Sequence, residues 1–290
     1  MYCEKKYKAT QKILWIILVL NFLVAAIKII FGQITGSSSL TADGFHSLTD
    51  GSSNVVGLIA IALASKPVDK EHPYGHSKYE TLASLFIGIM LVILGLKVMG
   101  EAAGKFVNPT SINVSIQSII AIIFTLAINI YVSAYEFRMG KVLKSEILIS
   151  DSFHTRGDIF VSLGVLTALI SIKLGVSIMI DPIVSLIVGV FIFKAAYDVL
   201  HTSAEILVDT AVVDSTEIRE IVMKQNGVFD VYNIRSRGNT EDMFIDMNIV
   251  MNSSFNVSET HELSHKIEKS IRDRLKNEAQ VIIHVEPYEG

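Results

Sequence analysis

The stretch "ADGFHSLTD", residues 42–50, returns with small changes as "SDSFHTRGD", residues 150–158. Both copies contain the pattern D-x-F-H-x-x-x-D. In each copy a histidine and an aspartate stand four residues apart, so in a helix they share one face. The repeat therefore predicts two related helices, each with an imidazole and a carboxylate on the same side.

Both copies lie in apolar surroundings. The chain has 290 residues, 50% of them hydrophobic, and a mean hydropathy of +0.47. Since a spanning helix needs about 20 mostly apolar residues, we predict six, at about 11–32, 40–64, 79–103, 112–136, 147–173 and 182–207. The copies fall in the second and fifth. The predicted fold is an α-helical membrane protein with six transmembrane helices over 1–208 and a cytoplasmic C-terminal domain over 209–290.

The C-terminal part has the pattern of a small α+β domain. Helices are predicted at about 214–226 and 257–276, and "DMFIDMNIVM", residues 242–251, alternates apolar and polar side chains as a half-buried strand does. With "DVYNIRSRG" and "QVIIHVE" as further strands, the element order is α-β-β-α-β. This order predicts a ferredoxin-like or metallochaperone-like layer of two helices on one sheet.

Basic residues predict the orientation, because Lys and Arg in short loops favour the cytoplasm. One side of the predicted membrane domain carries ten of them and the other side two. The ten are Lys5, Lys6, Lys8, Lys12, Lys66, Lys70, Lys78, Arg138, Lys141 and Lys144, and the two are Lys105 and Lys173. Both termini are therefore predicted in the cytoplasm, and the compact form suggests a bacterial inner membrane. A net charge of −4 argues against a nucleic-acid partner.

The repeat also predicts a metal site. Two such helices packed face to face would present two imidazoles and two carboxylates, from His46, Asp50, His154 and Asp158, which is enough for a tetrahedral divalent ion. Buried polar residues also serve as interhelical hydrogen bonds, but charged groups inside a membrane are costly and usually functional. Asp43 and Asp151, one turn away, either orient the histidines or cap the helix near the membrane surface. The single cysteine, Cys3, excludes a four-cysteine zinc site.

The sequence resembles the cation diffusion facilitator family over nearly its whole length. The resemblance is carried by "SSSLTADGFHSLTDGSSN", "EHPYGHSKYE" and "SDSFHTRGDIFVSLG". It implies a homodimer that exports divalent cations in exchange for protons, with no organic cofactor, through the transport site of His46, Asp50, His154 and Asp158. It favours zinc, because a manganese-type member would have Asn or Asp in place of the histidines. Iron, cobalt, nickel, cadmium and manganese stay open, since ligand type restricts the metal without fixing it.

A second metal site is predicted in the loop "VDKEHPYGHSKYE", where Asp69, His72 and His76 match the family pattern. Pro73 and Gly75 make a tight turn that would bring the two histidines together; the alternative is a solvated loop without metal. By the same resemblance, Lys78 pairs with Asp209 and ties the membrane and cytoplasmic parts together.

The segment "HELSH", residues 261–265, matches the zinc-peptidase pattern H-E-x-x-H. However, His261 and His265 lie about 200° from Leu263 around the predicted helix, on the side away from its apolar stripe. In the family this region carries a cytoplasmic metal site, and His261, His284 and Glu286 match its ligands. Tyr232 and Asn248 stand where the family has histidines, so this site is depleted. His265 is a further candidate ligand, and a purely structural helix face is the alternative.

The sequence thus predicts a secondary transporter and not an enzyme. Two other classes stay open: a membrane-anchored zinc peptidase that uses residues 261–265, and a metal sensor that binds without transporting. No G-x-x-x-x-G-K-[ST] loop is present, so ATP-driven pumping has no support.

Overall fold

A computed structural model describes residues 2–35, 38–107, 116–173, 179–239, 242–275 and 279–288. The chain forms two compact units, Met1–Ser203 and Ala204–Gly290. The predicted domain boundary, at 208/209, lies five residues later, because the last turn of the sixth helix groups with the second unit. The two units are described separately below.

The first unit consists of long helices, and the described residues contain six of them. They are α1 (Tyr2–Thr35), α2 (Ser38–Ala64), α3 (Lys78–Val107), α4 (Ile116–Leu143), α5 (Glu146–Lys173) and α6 (Ile180–Leu207). Among the described residues, three segments are long and apolar enough to cross a membrane: Lys5–Ile30, Lys78–Val107 and Ile180–Leu207. The helices α2 and α5 carry the polar repeats, which lower their hydropathy. A span count of six therefore stays a prediction.

The helices α4 and α5 are joined by a very short link. Lys144 adopts a positive φ of 47°, and the Ser145 amide donates to the Gly140 carbonyl at 2.8 Å. A Cβ atom at Gly140 would lie 2.8 Å from Cγ1 of Ile149, so only glycine permits this approach of the two helices. As a result α4 and α5 pack side by side from this end.

Two apolar clusters hold the first unit together. The larger joins α1–α5 and includes Leu14, Ile61, Ile87 and Ile147; the smaller joins α3, α5 and α6 around Ile192. Large apolar side chains such as Trp15, Phe22 and Ile93 are exposed, as expected of helices long and apolar enough to span a bilayer.

A buried polar contact anchors the start of α5. The Glu80 carboxylate of α3 lies 3.5 Å from Nζ of Lys6 in α1, and both side chains are less than one-tenth exposed. The same carboxylate accepts hydrogen bonds from the Ser145 hydroxyl and from the Ile147 amide. A negative group at a helix N-terminus is favourable, so Glu80 fastens α1 and α3 to the first turn of α5.

The second unit has the predicted element order. Helix α7 (Ser215–Val222) is followed by strands β1 (Val228–Gly238) and β2 (Met243–Met251), helix α8 (Val257–Leu275) and strand β3 (Gln280–Pro287). Strand β2 is central, antiparallel to β1 and parallel to β3. The α-β-β-α-β prediction is confirmed for the described residues.

The core of the second unit follows the alternation seen in the sequence. On β2 the predicted inner face is buried: Met243, Ile245, Met247, Ile249 and Met251. On α8 the inner face is Leu263, Ile267 and Ile271. In contrast, β1 is irregular between Tyr232 and Arg235, where Asn233 has a φ of 51°. This irregularity interrupts the period of two in β1.

Candidate metal centre

The second copy of the repeat lies in the first half of α5. Asp151 is 2% exposed and His154 is 5% exposed, while Asp158 is half-buried. These three residues lie at successive turns of one helix, as their spacing predicts. A buried imidazole and a half-buried carboxylate thus lie one turn apart on α5.

Helix α2 contacts α5 through Asp151. The Ser53 hydroxyl donates to one Asp151 carboxylate oxygen at 3.0 Å, and the Asn54 side-chain amide donates to the other. Asn21 of α1 in turn donates to Asn54 at 2.8 Å. Asp151 therefore lies in a polar contact between α1, α2 and α5. That Asp43 and Asp151 orient the histidines, or cap the helix near the membrane surface, stays a prediction.

The first copy of the repeat is described only by its backbone, which is helical. The side chains of Asp43, His46 and Asp50 lie outside the described residues. Nearby, Nζ of Lys28 in α1 donates to the Ser47 hydroxyl at 2.8 Å. The convergence of four ligands from the two copies stays a prediction.

Sequence reasoning missed Glu136, a fully buried carboxylate in α4. Its side chain lies beside Asp151, and the Thr155 hydroxyl of α5 donates to it at 3.2 Å. The signal was available, because Glu136 is the single acidic residue in the α4 sequence and charges inside a membrane helix are usually functional. Glu136 thus adds a third carboxylate to the two of the α5 copy, Asp151 and Asp158.

The loop between α2 and α3 brings its three predicted residues together. One ligand atom each from Asp69, His72 and His76 lies within 4.8 Å of the others. The Asp69 carboxylate is 3.3 Å from Nδ1 of His72 and 3.4 Å from Nε2 of His76. Shifts of about 1 Å would bring such atoms to the ~3.3 Å spacing of ligands around tetrahedral zinc.

Local hydrogen bonds shape this loop. The Gly75 amide donates to the His72 carbonyl at 3.0 Å, and Gly75 has a φ of 91°, which glycine adopts readily. The Asp69 carboxylate accepts from the His72 amide at 2.7 Å and from the Glu71 amide at 2.9 Å. The His72 amide, followed by the neighbouring donors, lowers the pKa of Asp69. The carboxylate is therefore held in its ionised, metal-binding form.

His76 contributes a further observation to the loop site. Its side chain is only 4% exposed, and among the described residues its Nδ1 atom has no hydrogen-bond partner. A buried polar atom without a partner is costly. The donor set therefore fits a divalent cation that prefers imidazole and carboxylate ligands.

The α8 histidines form a pair on the protein surface. Nε2 of His261 lies 3.1 Å from Nε2 of His265, and Nδ1 of His265 lies 3.3 Å from the Glu268 carboxylate. Within the described ranges, the loop triad is the only group of three or more clustered His, Cys, Asp or Glu donors. The pair thus lacks the third ligand that a peptidase zinc requires.

His284 and Glu286 do not join the α8 pair in one cluster of described residues. They lie on β3, at positions that alternate with those facing the core, and their side chains are 3.7 Å apart. Glu286 accepts hydrogen bonds from the Tyr232 hydroxyl and from Asn248 at 3.0 Å. The Tyr232 hydrogen bond lowers the pKa of Glu286 and raises the pKa of Tyr232. The two residues that stand in place of the family's histidines thus bind the carboxylate directly.

Asp209 contacts its own unit, where its carboxylate lies 3.4 Å from an Arg237 guanidinium nitrogen. The predicted pairing with Lys78 would join the two units, and it stays a prediction.

Both units match known protein families. Residues 14–208 match the cation efflux transmembrane domain, and residues 212–288 match the cytoplasmic domain of cation efflux proteins. An uncharacterised transporter of Methanocaldococcus jannaschii is 29% identical over 96% of this chain and 99% of its own length. The manganese efflux system protein MneP of Bacillus subtilis is 28% identical over 98% of each chain. Metal tolerance protein C1 of Arabidopsis thaliana is 28% identical over 98% of this chain and 64% of its own length.

These matches exclude the peptidase interpretation of residues 261–265, because the family consists of transporters. The surface position of the histidine pair agrees with that exclusion. With both units matched over nearly their full length, the chain belongs to the cation efflux, or cation diffusion facilitator, family of membrane proteins that transport divalent metal cations.

Proposed function

We propose that this protein exports zinc from the cytoplasm in exchange for protons. It does so as a homodimer with six spans per chain, through a site made of His46, Asp50, His154 and Asp158. The observation that carries the proposal is the contact of Ser53 and Asn54 with Asp151. Ser53 and Asn54 closely follow one copy of the repeat on α2, and Asp151 belongs to the other copy on α5.

Helix geometry extends this contact into a four-ligand arrangement. With six spans, α2 and α5 cross the membrane in opposite directions, so moving back along α2 means moving forward along α5. One turn, about 5.4 Å, leads from Asn54 to position 50 and from Asp151 to position 154. A second turn leads to positions 46 and 158. This register supports one shared site that takes two ligands from each helix.

The ligand chemistry supports zinc. Two imidazoles and two carboxylates suit a tetrahedral ion, and imidazole favours zinc over manganese, which prefers oxygen ligands. The name of the Bacillus subtilis relative refers to manganese, but at 28% identity the ligands of this chain decide its own substrate. Competition between the two ions during transport tests this choice: zinc is expected to suppress manganese flux far more than manganese suppresses zinc flux.

Proton exchange follows from the same ligands. A cation binds to neutral imidazole and ionised carboxylate, so binding releases protons and protonation releases the cation. Histidine titrates near neutral pH, which makes His46 and His154 suitable proton carriers. Alternating access around a fixed site would load zinc on the cytoplasmic side and release it on the other.

Two features support the proposed orientation and the homodimer: the distribution of basic residues, and exposed apolar side chains on the sheet of the second unit. The excess of basic residues at one set of helix ends favours cytoplasmic termini in a bacterial inner membrane. Exposed apolar side chains on the sheet, such as Phe229 at 49% and Ile282 at 61% exposure, are available for a homodimer contact. A monomeric mass for the full chain in mild detergent would contradict the dimer.

Proteoliposomes that contain a zinc dye and a pH dye test the mechanism. His154→Ala and Asp158→Ala should lower zinc flux at least about 100-fold, because loss even of an outer partner of a metal ligand costs about 10–100-fold. His201→Ala in α6 is the matched control and should transport normally. The proposal fails if zinc flux moves no protons, or if both ligand variants transport like the control.

A further inference from the structure

Two cationic side chains converge on one aromatic ring where α4 meets α5. Nζ of Lys141 lies 4.4 Å from the ring centre of Phe137, and the guanidinium carbon of Arg156 lies 4.4 Å from the same centre. The Arg156 guanidinium is also 4.9 Å from the Phe153 ring, which meets Phe137 edge-on at 6.2 Å. We call Phe137, Lys141, Phe153 and Arg156 the aromatic–basic cluster.

The two cations of this cluster have no carboxylate partner in the part of the chain that the structure describes. Among the described residues, Lys141 and Arg156 make cation–π contacts but no ion pair. The nearby carboxylate of Glu136 is turned toward Thr155 and Asp151 instead. Lys141 is exposed and Arg156 is half-buried, so an anion from outside the chain has access to both.

The position of the cluster indicates the anion. Helices α4 and α5 have 28 residues each, or about 42 Å, which matches a bilayer with its headgroups. Lys141 lies about 3 Å along the axis from the end of α4, at headgroup depth. Arg156 lies about 15 Å from the start of α5, and its side chain reaches back toward that start, as helical side chains lean and as long basic chains snorkel.

We propose that the aromatic–basic cluster binds the phosphate group of an anionic membrane lipid. Arginine suits phosphate through paired hydrogen bonds, and basic pockets between membrane helices bind anionic headgroups. The rings of Phe137 and Phe153 lie at the depth where acyl chains begin, so they can contact the first methylene groups of the lipid. The inference rests on the six-span arrangement proposed above, because it needs the junction of α4 and α5 at the membrane surface.

Such a lipid would act on transport through α5. Arg156 is two residues from His154 and two residues from Asp158, on the same helix. A lipid bound at Arg156 therefore adds a membrane contact to the element that carries half of the proposed transport site. Zinc flux is expected to be higher in vesicles that contain phosphatidylglycerol than in vesicles of phosphatidylcholine alone.

Native mass spectrometry of the full chain in mild detergent tests the binding directly. Dioleoylphosphatidylglycerol is titrated against wild type, Lys141→Gln, Arg156→Gln and the control Lys66→Gln, which removes an exposed lysine two residues beyond the end of α2. Each cluster variant should bind the lipid about 5-fold more weakly, since a basic residue near the surface contributes about 1 kcal/mol to anionic lipid binding. Arg156→Lys should retain much of the affinity, and the control should match wild type.

Three results would overturn the proposal: equal weakening by Lys66→Gln, equal binding of dioleoylphosphatidylcholine, or displacement of the lipid by glycerol 3-phosphate at similar concentration. The last would indicate a soluble phosphate ligand. Because Lys141 is exposed, its variant is expected to fold even if Arg156→Gln does not. His154→Ala keeps the cluster, so it should lose zinc flux and still bind the lipid, which separates this inference from the proposed function.

Discussion

Two pairs of histidines lie at nearly the same spacing in this chain but are built in different ways. The ring centres of His72 and His76 are 4.2 Å apart in the loop between α2 and α3, and those of His261 and His265 are 4.3 Å apart on α8. In the loop, the carboxylate of Asp69 lies within 3.4 Å of both rings. On α8, the Glu268 carboxylate meets only His265, at the ring nitrogen other than the one that faces His261.

The two histidine pairs also differ in how far they are buried. The His76 side chain is 4% exposed, whereas the His265 side chain is 60% exposed. Helical spacing alone is enough to bring two imidazoles together, and it says little about a third ligand. In the loop, Asp69 supplies a third ligand, and the His76 side chain is already shielded from water before a metal binds. We therefore expect the loop to bind zinc well and the α8 pair to bind it weakly.

The largest expected effect is on the loop. In a full chain that carries His154→Ala and Asp158→Ala to silence the transport site, His76→Ala should weaken the remaining zinc binding at least about 100-fold, since one of three clustered ligands is lost. Equilibrium dialysis measures the affinity and the number of ions bound. His201→Ala in the same background should change neither. Unchanged binding in His76→Ala would remove the distinction between the two pairs.

Asp69→Asn keeps the shape of the loop and removes its charge, so zinc binding should weaken about 10–100-fold. The pKa of Asp69 is lowered, chiefly by the His72 amide, so the carboxylate stays ionised as the pH falls from 7 to about 4. Its hydrogen bonds accordingly stabilise the loop above the ordinary carboxylate pKa and are lost only when the pH falls through the lowered pKa.

Equilibrium dialysis at pH 7, in the background that carries His154→Ala and Asp158→Ala, measures the zinc affinity of Asp69→Asn. Zinc binding by Asp69→Asn as tight as that of the unsubstituted loop would show that the Asp69 charge does not contribute to the site.

A gain of binding is expected if α8 receives the ligand it lacks. Ser258→Asp places a carboxylate three residues before His261, within reach on the same face, and its charge suits the first turn of the helix. Zinc affinity at the pair should rise about 10-fold, by analogy with the cost of losing one metal partner. Ser253→Asp, an exposed change outside the helix, is the control. No gain over the control would show that proximity to a carboxylate is not what distinguishes the two pairs.

The smallest effect is expected from His265→Ala. Two exposed imidazoles fall short of the four ligands of a stable zinc site, so zinc flux through the full chain should change by less than about 2-fold. Flux in proteoliposomes, compared with His201→Ala, measures it. A large loss would make the pair part of the transport machinery.

Local patterns in the sequence predicted the second unit well. The alternation Met243 to Met251 and the stripe Leu263 to Ile271 each report burial on one face of a regular element, which depends mainly on neighbours in the chain. Strand β1 does not alternate regularly between buried and exposed side chains, because the irregularity near Asn233 shifts its register. No short sequence pattern predicts that shift.

The first unit was harder to predict in detail. Sequence spacing marks Asp151 as polar and membrane-embedded, but its contacts with Ser53 and Asn54 depend on how two distant helices pack. The sequence marks Glu136 as the single acidic residue of α4, but its closeness to the α5 repeat depends on how α4 and α5 pack from the short link at Lys144. In the loop, by contrast, Pro73 and Gly75 sufficed to predict that His72 and His76 approach each other.

The attachment of Glu80 to the first turn of α5 has a mechanical consequence. If that end of the helix is a pivot, the rest of α5 is a lever, with Asp158 about 18 Å from the pivot and the far end about 40 Å away. A tilt of roughly 10° would then displace Asp158 by about 3 Å and the far end by about 7 Å. A small swing about a fastened base would therefore move the far end of α5 more than twice as far as it moves Asp158.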